Sequence, residues 1–173
     1  PEILSLRNGG EFFSDDRRTL IDDDHADEAS SDRAILPFGQ WKERVGSGST
    51  PSFIWLAPAD DFTRLQSAVH SFRLIALRFP SASDGRAYSI ASVLRTHYGY
   101  RGELRAIGEV QIDQLFFLRR VGFDSAQLRP ELSTAATLPT IRAALATFSE
   151  RYQGAVDQPL PLFKRRLLGE VLT

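Results

Sequence analysis

Nine residues carry most of the chemistry this chain offers: Arg78, Ser83, Asp84, Gly85, Arg86, Arg105, Glu109, Asp113 and Gln114. Most of them fall where strand-like runs give way to loops, and in parallel α/β sheets ligands bind beyond the carboxyl ends of the strands. The stretch PSASDGRAYS opens a helix with Gly85 in its first turn. Free backbone N–H groups and the helix dipole at such a turn hold a phosphate, sulfate or carboxylate. Arg78 and Arg86 would add charge-assisted donors, and Glu109, Asp113 and Gln114 follow the next strand. A second reading needs no ligand. Asp84 is then an N-cap and Gly85 a turn residue. Arg78 pairs with Glu109 at the rim of the sheet, and Arg105 is neutralised by Glu109 or Asp113. The residues leave both readings open.

The elements that must position these residues read clearly between residues 72 and 128. Leu74 to Phe79 is a short apolar run of strand length. A helix from Asp84 to about Tyr98 places Ala87, Ile90, Ala91, Leu94 and Tyr98 on one face, and Gly99 ends it. Leu104 to Val110 is the next strand, with Arg105, Ile107 and Glu109 on one face and Leu104, Ala106 and Gly108 on the other. A helix from about Ile112 to Val121 stops at Gly122, and Ser125 to Leu128 is a third strand. An earlier unit, Phe53 to Ala57, leads into a helix expected from Asp60 or Asp61 through Phe72. A last helix covers about Leu138 to Tyr152.

This spacing predicts an α/β protein with four consecutive βα units over residues 52–152, parallel strands and right-handed crossovers. Half of a TIM-like barrel is the expected architecture, with a flavodoxin-like three-layer sandwich as the alternative. The predicted core is Ile54, Leu65, Leu74, Ala76, Ile90, Leu94, Leu104, Ala106, Leu115, Leu118, Leu145 and Phe148. One domain is expected over the 173 residues. Residues 1–50 hold a hairpin turning at Asn8-Gly9-Gly10, with Phe12 and Phe13 on its return, and then an acidic loop. Residues 153–173 form a tail in which Leu160, Leu162 and Phe163 precede Lys164, Arg165 and Arg166.

Several function classes are excluded by what the chain lacks. Cysteine is absent, which removes disulfides, thiol chemistry and cysteine-held iron–sulfur clusters. His25, His70 and His97 share no metal-ligand spacing. Asp22, Asp23, Asp24, Asp27 and Glu28 cluster, but they lack the alternation, central glycine and terminal glutamate of an EF-hand, so no metal is expected. Gly46-x-Gly48 precedes a strand instead of following one, and no Gly-Lys-Ser/Thr ends a phosphate loop. No serine sits in a nucleophile elbow. The net charge of −1 and the scattered basic residues argue against nucleic acid. No apolar run approaches the roughly 20 residues of a spanning helix, and no secretory pattern is present. The expectation is a cytoplasmic protein without membrane contact.

The string LRFPSASDGRAYSIASVLRTHYGYRGELRAIGEVQIDQLFFLRRVGFDSAQL resembles the signature core of the bacterial domain-of-unknown-function 934 family. The pieces that carry it are FP…DGRAYS, the LR at 94–95, GELRAIGEV, DQLFFLRRVGFD and the later ERYQ, with ILPFGQW and PLFKRR also similar. The resemblance implies an oxidoreductase or accessory protein linked to sulfite reduction, accompanying an assimilatory sulfite or nitrite reductase. Relatives often carry cysteine where this chain has Val121, so electron transfer here would need a bound cofactor or a partner's. The cofactor is unknown, and no flavin motif is present. Three functions are therefore expected as alternatives. One is a partner of the sulfite-reduction machinery. Another is an enzyme or sensor binding an anion at the DGRAYS loop. The third is a homodimer whose units need a second half to close their sheet.

Overall fold

A computed structural model describes residues 1–7, 13–22, 32–46 and 51–146. The turn at Asn8–Gly10, most of the acidic loop, Phe148 and the tail lie outside the described residues. Eight strands form one sheet: β1 (Glu2–Ser5), β2 (Phe13–Asp15), β3 (Thr19–Leu20), β4 (Ala34–Pro37), β5 (Phe53–Leu56), β6 (Leu74–Phe79), β7 (Glu103–Gly108) and β8 (Ser125–Ala126). Their order is β2-β1-β8-β7-β6-β5-β4-β3. From β3 to β8 neighbours are parallel and follow chain order, whereas β1 and β2 close the far side antiparallel. The flavodoxin-like alternative needs a reversal of strand order and helices on both faces. Neither is present among the described residues.

The four helices are α1 (Phe38–Gly46), α2 (Arg86–Thr96), α3 (Leu115–Val121) and α4 (Leu138–Ala146). Their buried side chains join one core with the outward residues of the sheet: Ile54, Leu56, Ile75, Leu77, Phe79, Leu104, Ala106 and Ala126. Strand alternation sends the other set inward. There Leu74, Ala76, Ile35 and Ile107 pack with Leu20, Phe53 and Trp55, and among the described residues no helix joins that cluster. Eleven of the twelve residues predicted for the core are buried, the exception being the undescribed Phe148.

The sheet must curl strongly. Laid flat, eight strands at about 4.8 Å spacing would put their outermost members about 34 Å apart. Yet only Asp16, Arg17 and Arg18 connect β2 at one edge to β3 at the other, and four peptide steps reach at most about 14 Å. The two edges are thus drawn together by a three-residue strap, and the inward faces line a half-barrel. The barrel is larger than the four predicted units, because β3 and β4 extend the parallel run and the hairpin strands extend it on the other side.

Three local expectations are corrected. The helix expected over residues 60–72 is instead two 3-10 turns, Phe62–Leu65 and Val69–Ser71. Asp60 accepts the Ala57 N–H at 2.8 Å, and Asp61 holds Thr63 and Arg64. Such local side-chain bonds compete with helical ones, although Leu65, Val69 and Phe72 are still buried. The N-cap of α2 is Gly85, not Asp84, because Asp84 is turned to the N–H and guanidinium of Arg86. The helix after β7 starts as a 3-10 turn, Ile112–Gln114, before continuing as α3. Its end is as expected: Gly122 takes φ 102°, and Phe123 N–H reaches back to Leu118 O at 3.0 Å.

Candidate functional site

Inward-facing residues stack in layers along the barrel axis. Register pairs Phe53 with Leu74 and Leu74 with Glu103 at the amino end, then Trp55 with Ala76, Arg105 and Ser125, then Arg78 with Ile107 at the carboxyl end. Gln127 follows β8 beside Ile107, its N–H bonded to Ala106 O at 2.9 Å. Among the described residues a cavity opens onto this face at each end.

The larger, about 470 Å³, lies at the amino ends of the strands. Its charges are largely spent on one another. Arg105, only 2 % exposed, contacts Asp16 at 2.6 Å and Glu103 at 2.6 Å. Arg18 binds Asp16 at 2.8 Å and lies 4.7 Å from the centre of the Phe53 ring. The Ser125 hydroxyl donates to Glu103 at 2.7 Å. Burial alone would raise the Asp16 carboxyl, but the charge of Arg105 and the Arg18 N–H hold it below the ordinary carboxyl range. This network fastens the strap across the barrel floor. The predicted partners of Arg105, Glu109 and Asp113, are corrected to Asp16 and Glu103. Glu109 and Asp113 follow the carboxyl end of β7, away from Arg105.

Beneath the same end, Arg95 donates to the carbonyls of Gly122, Tyr100 and Gly102 at 2.8, 2.7 and 2.9 Å and pairs with Asp124 at 2.6 Å. Asp124 also accepts the Leu104 N–H at 2.9 Å and Arg7 at 2.6 Å. Two of the most recognisable sequence positions, Arg95 and Asp124, are thus a structural clamp. Burial raises the phenol of Tyr100, which packs against Arg95, above its usual range.

The second cavity, about 270 Å³, is the mouth at the carboxyl ends. Alternation along β6 points Arg78 inward at the last turn of the strand. Its guanidinium lies 5.3 Å from the centre of the Trp55 ring, and Trp55 is fixed by its indole N–H donating to Ile21 O at 2.9 Å. Ile107, Gly108, Gln127 and Arg129 complete the wall with Leu20, Ile21, Asp22, Leu128 and Pro130. Arg129 pairs with Glu131 at 3.3 Å, an exposed contact. Arg78 meets no carboxylate within ion-pair distance among the described residues, so the predicted Arg78–Glu109 pair is not formed. Gly108 is required where it stands: its φ is 90°, and a Cβ there would collide with the Phe79 carbonyl.

The nine predicted residues are therefore divided among three places. Arg78 lines the mouth and Arg105 the floor. Ser83, Asp84, Gly85, Arg86, Glu109, Asp113 and Gln114 stand at the carboxyl end but outside the mouth lining. Gln114 ties this group together by donating to Ala82 O at 2.7 Å, and the Glu109 N–H donates to Phe79 O at 2.8 Å. Arg86 is engaged by Asp84 at 2.6 Å, and its hydrogen bonds hold the half-buried Asp84 carboxyl below the ordinary range. Tyr88 nearby is pushed up to about 12 by burial and then by the charge of Asp113. Sequence reasoning missed Trp55 and Gln127, although alternation along FIWL and SAQL marks both as inward. It also missed Asp16, Arg18 and Glu103, for which no local signal exists.

Parallel strands β3 to β8 in chain order, helices of the described residues on the outer side and a mouth at the carboxyl ends define a singly wound α/β half-barrel protein. The chain belongs to the family described as bacterial protein of unknown function (DUF934), whose model matches residues 53–163. That match begins at the first residue of β5 and takes in Trp55, Arg78, Gln127 and Arg129. No curated protein and no solved structure matches the chain.

Proposed function

We propose that this protein binds a small anion at the barrel mouth, with Arg78 as the principal ligand-binding residue and Arg129 and Gln127 as supporting donors. The observation that carries this reading is the setting of Arg78. Its guanidinium is held over Trp55 while its hydrogen-bonding fork is left without a carboxylate among the described residues. Strand ends in this architecture are where ligands and substrates are met, and a planar fork recognises carboxylates and related oxyanions. The proposed site thus moves from the DGRAYS loop, where Asp84 already occupies Arg86, to the neighbouring mouth. Thermal denaturation with a panel of inorganic and organic anions tests it. At least one anion should raise Tm in a concentration-dependent way, and Arg78→Gln should remove the shift while leaving the fold intact. A panel without any shift, or a shift unchanged in Arg78→Gln, would reject the site.

A second reading concerns a partner. Phe117 on α3 is 51 % exposed, the one large hydrophobic residue so exposed among the described residues, and it lies within the family-like string DQLFFLRRVGFD. We propose it as a contact for an assimilatory sulfite or nitrite reductase, the association the family resemblance implies. Capture of that reductase by the wild type and its loss in Phe117→Ser would support the proposal. Equal capture by both would dismiss Phe117, and no capture by either would dismiss the partner.

A further inference from the structure

We infer that the ligand of the mouth is an organic monoanion with a flat apolar body, a carboxylate or sulfonate, and not a bare inorganic oxyanion. This rests on the reading of the mouth as an anion site and names the class of anion. The cavity of about 270 Å³ corresponds to roughly nine water molecules at about 30 Å³ each. An inorganic oxyanion would displace a minority of them and leave part of the rest against the apolar side chains of the wall. The wall is divided in kind. Arg78, Gln127 and Arg129 are polar, whereas Leu20, Trp55 and Ile107 present apolar surface. Binding sites of this composition use a few polar groups to orient a ligand whose remaining surface is buried against the apolar wall.

The charge balance points the same way. The lining holds two guanidiniums, and one of them, Arg129, is already partly neutralised by Glu131. A single negative charge suits this balance better than two. At the barrel floor Arg105 and Arg18 are each paired with carboxylates of the chain itself. At the mouth no carboxylate of the described residues lies within ion-pair distance of Arg78, and a ligand acid would complete the same pairing. A carboxylate or sulfonate can take the fork bidentately, leaving a ring or short chain to lie against Ile107 and Leu20.

The experiment uses the full chain and two readouts. The protein has two tryptophans, so Trp41→Phe leaves Trp55 as the reporter of the mouth, and Tm of the unaltered protein is followed in parallel. The probes are benzoate, benzenesulfonate, sulfite, sulfate, phosphate and the neutral benzamide. Benzoate or benzenesulfonate should change Trp55 emission saturably, raise Tm, and bind at least about tenfold more tightly than any inorganic anion and than benzamide. Arg78→Gln should weaken that binding by about tenfold or more. Sulfite, sulfate or phosphate binding as tightly as benzoate would overturn this inference while keeping the mouth as an anion site. Benzamide binding as tightly as benzoate, or no binding by any probe, would overturn both.

Discussion

Replacing Arg105 with methionine should loosen the strap that draws the two edges of the sheet together. The guanidinium is 2 % exposed, with contacts of 2.6 Å to Asp16 and of 2.6 and 3.0 Å to Glu103. Removing one partner of a buried ion pair costs about 3–5 kcal/mol when the other charge is left alone. Neither carboxylate is left alone here. Asp16 keeps Arg18 at 2.8 Å, and Glu103 keeps the Ser125 hydroxyl at 2.7 Å. The methionine also fills part of the vacated volume. The expected loss is therefore about 2–3 kcal/mol, or about 4–12 °C in Tm for a chain of this size. Urea unfolding followed by circular dichroism at a series of pH values measures it. The Asp16 carboxyl is held below its ordinary value of 3.8 in the folded state. Its contribution is therefore complete above the ordinary carboxyl range and is lost as the pH falls through the lowered folded value. The gap between wild type and variant should be full at neutral pH and shrink below about pH 4. A variant within about 0.5 kcal/mol of wild type at neutral pH would refute the account of the strap. A gap unchanged by acid would show that lost packing, not lost charge, is responsible.

Two further outcomes follow from the same structure. Gly108→Ala places a side chain at φ 90° against the Phe79 carbonyl. The strain of about 1–2 kcal/mol and the collision together should exceed about 3 kcal/mol, checked by chemical denaturation; a loss under about 1 kcal/mol would mean the turn rearranges freely. Arg95→Lys keeps the charge but cannot serve three carbonyls and Asp124 at once. Hydrogen exchange should quicken selectively around residues 100–104 and 122–124 with a stability loss of about 2–3 kcal/mol, and uniform exchange across the chain would contradict the clamp.

Much of the fold was legible in the chain because its signals are local. The apolar run Leu74–Phe79, the helical stripe Ala87–Ile90–Ala91–Leu94 and the stop at Gly122 follow from side-chain spacing and backbone freedom within a few residues. Strand and helix in regular alternation then require parallel strands. The candidate site was legible only in part. Arg78 could be placed at a strand end, but its neighbour Trp55 belongs to a different strand, and register alone decides that they meet.

What the sequence determined by itself was the alternation of strand and helix, the buried set and the family likeness of residues 77–128. Tertiary structure alone decided the strand order of the sheet, the drawing together of its edges by Asp16–Arg18, and the partners of each charge. The physical reason is range. Capping, turns and periodicity act over one or two turns of chain. The pairing of Arg105 with Asp16, and the contrasting lack of a carboxylate for Arg78 among the described residues, arise only when distant strands curl into a common interior.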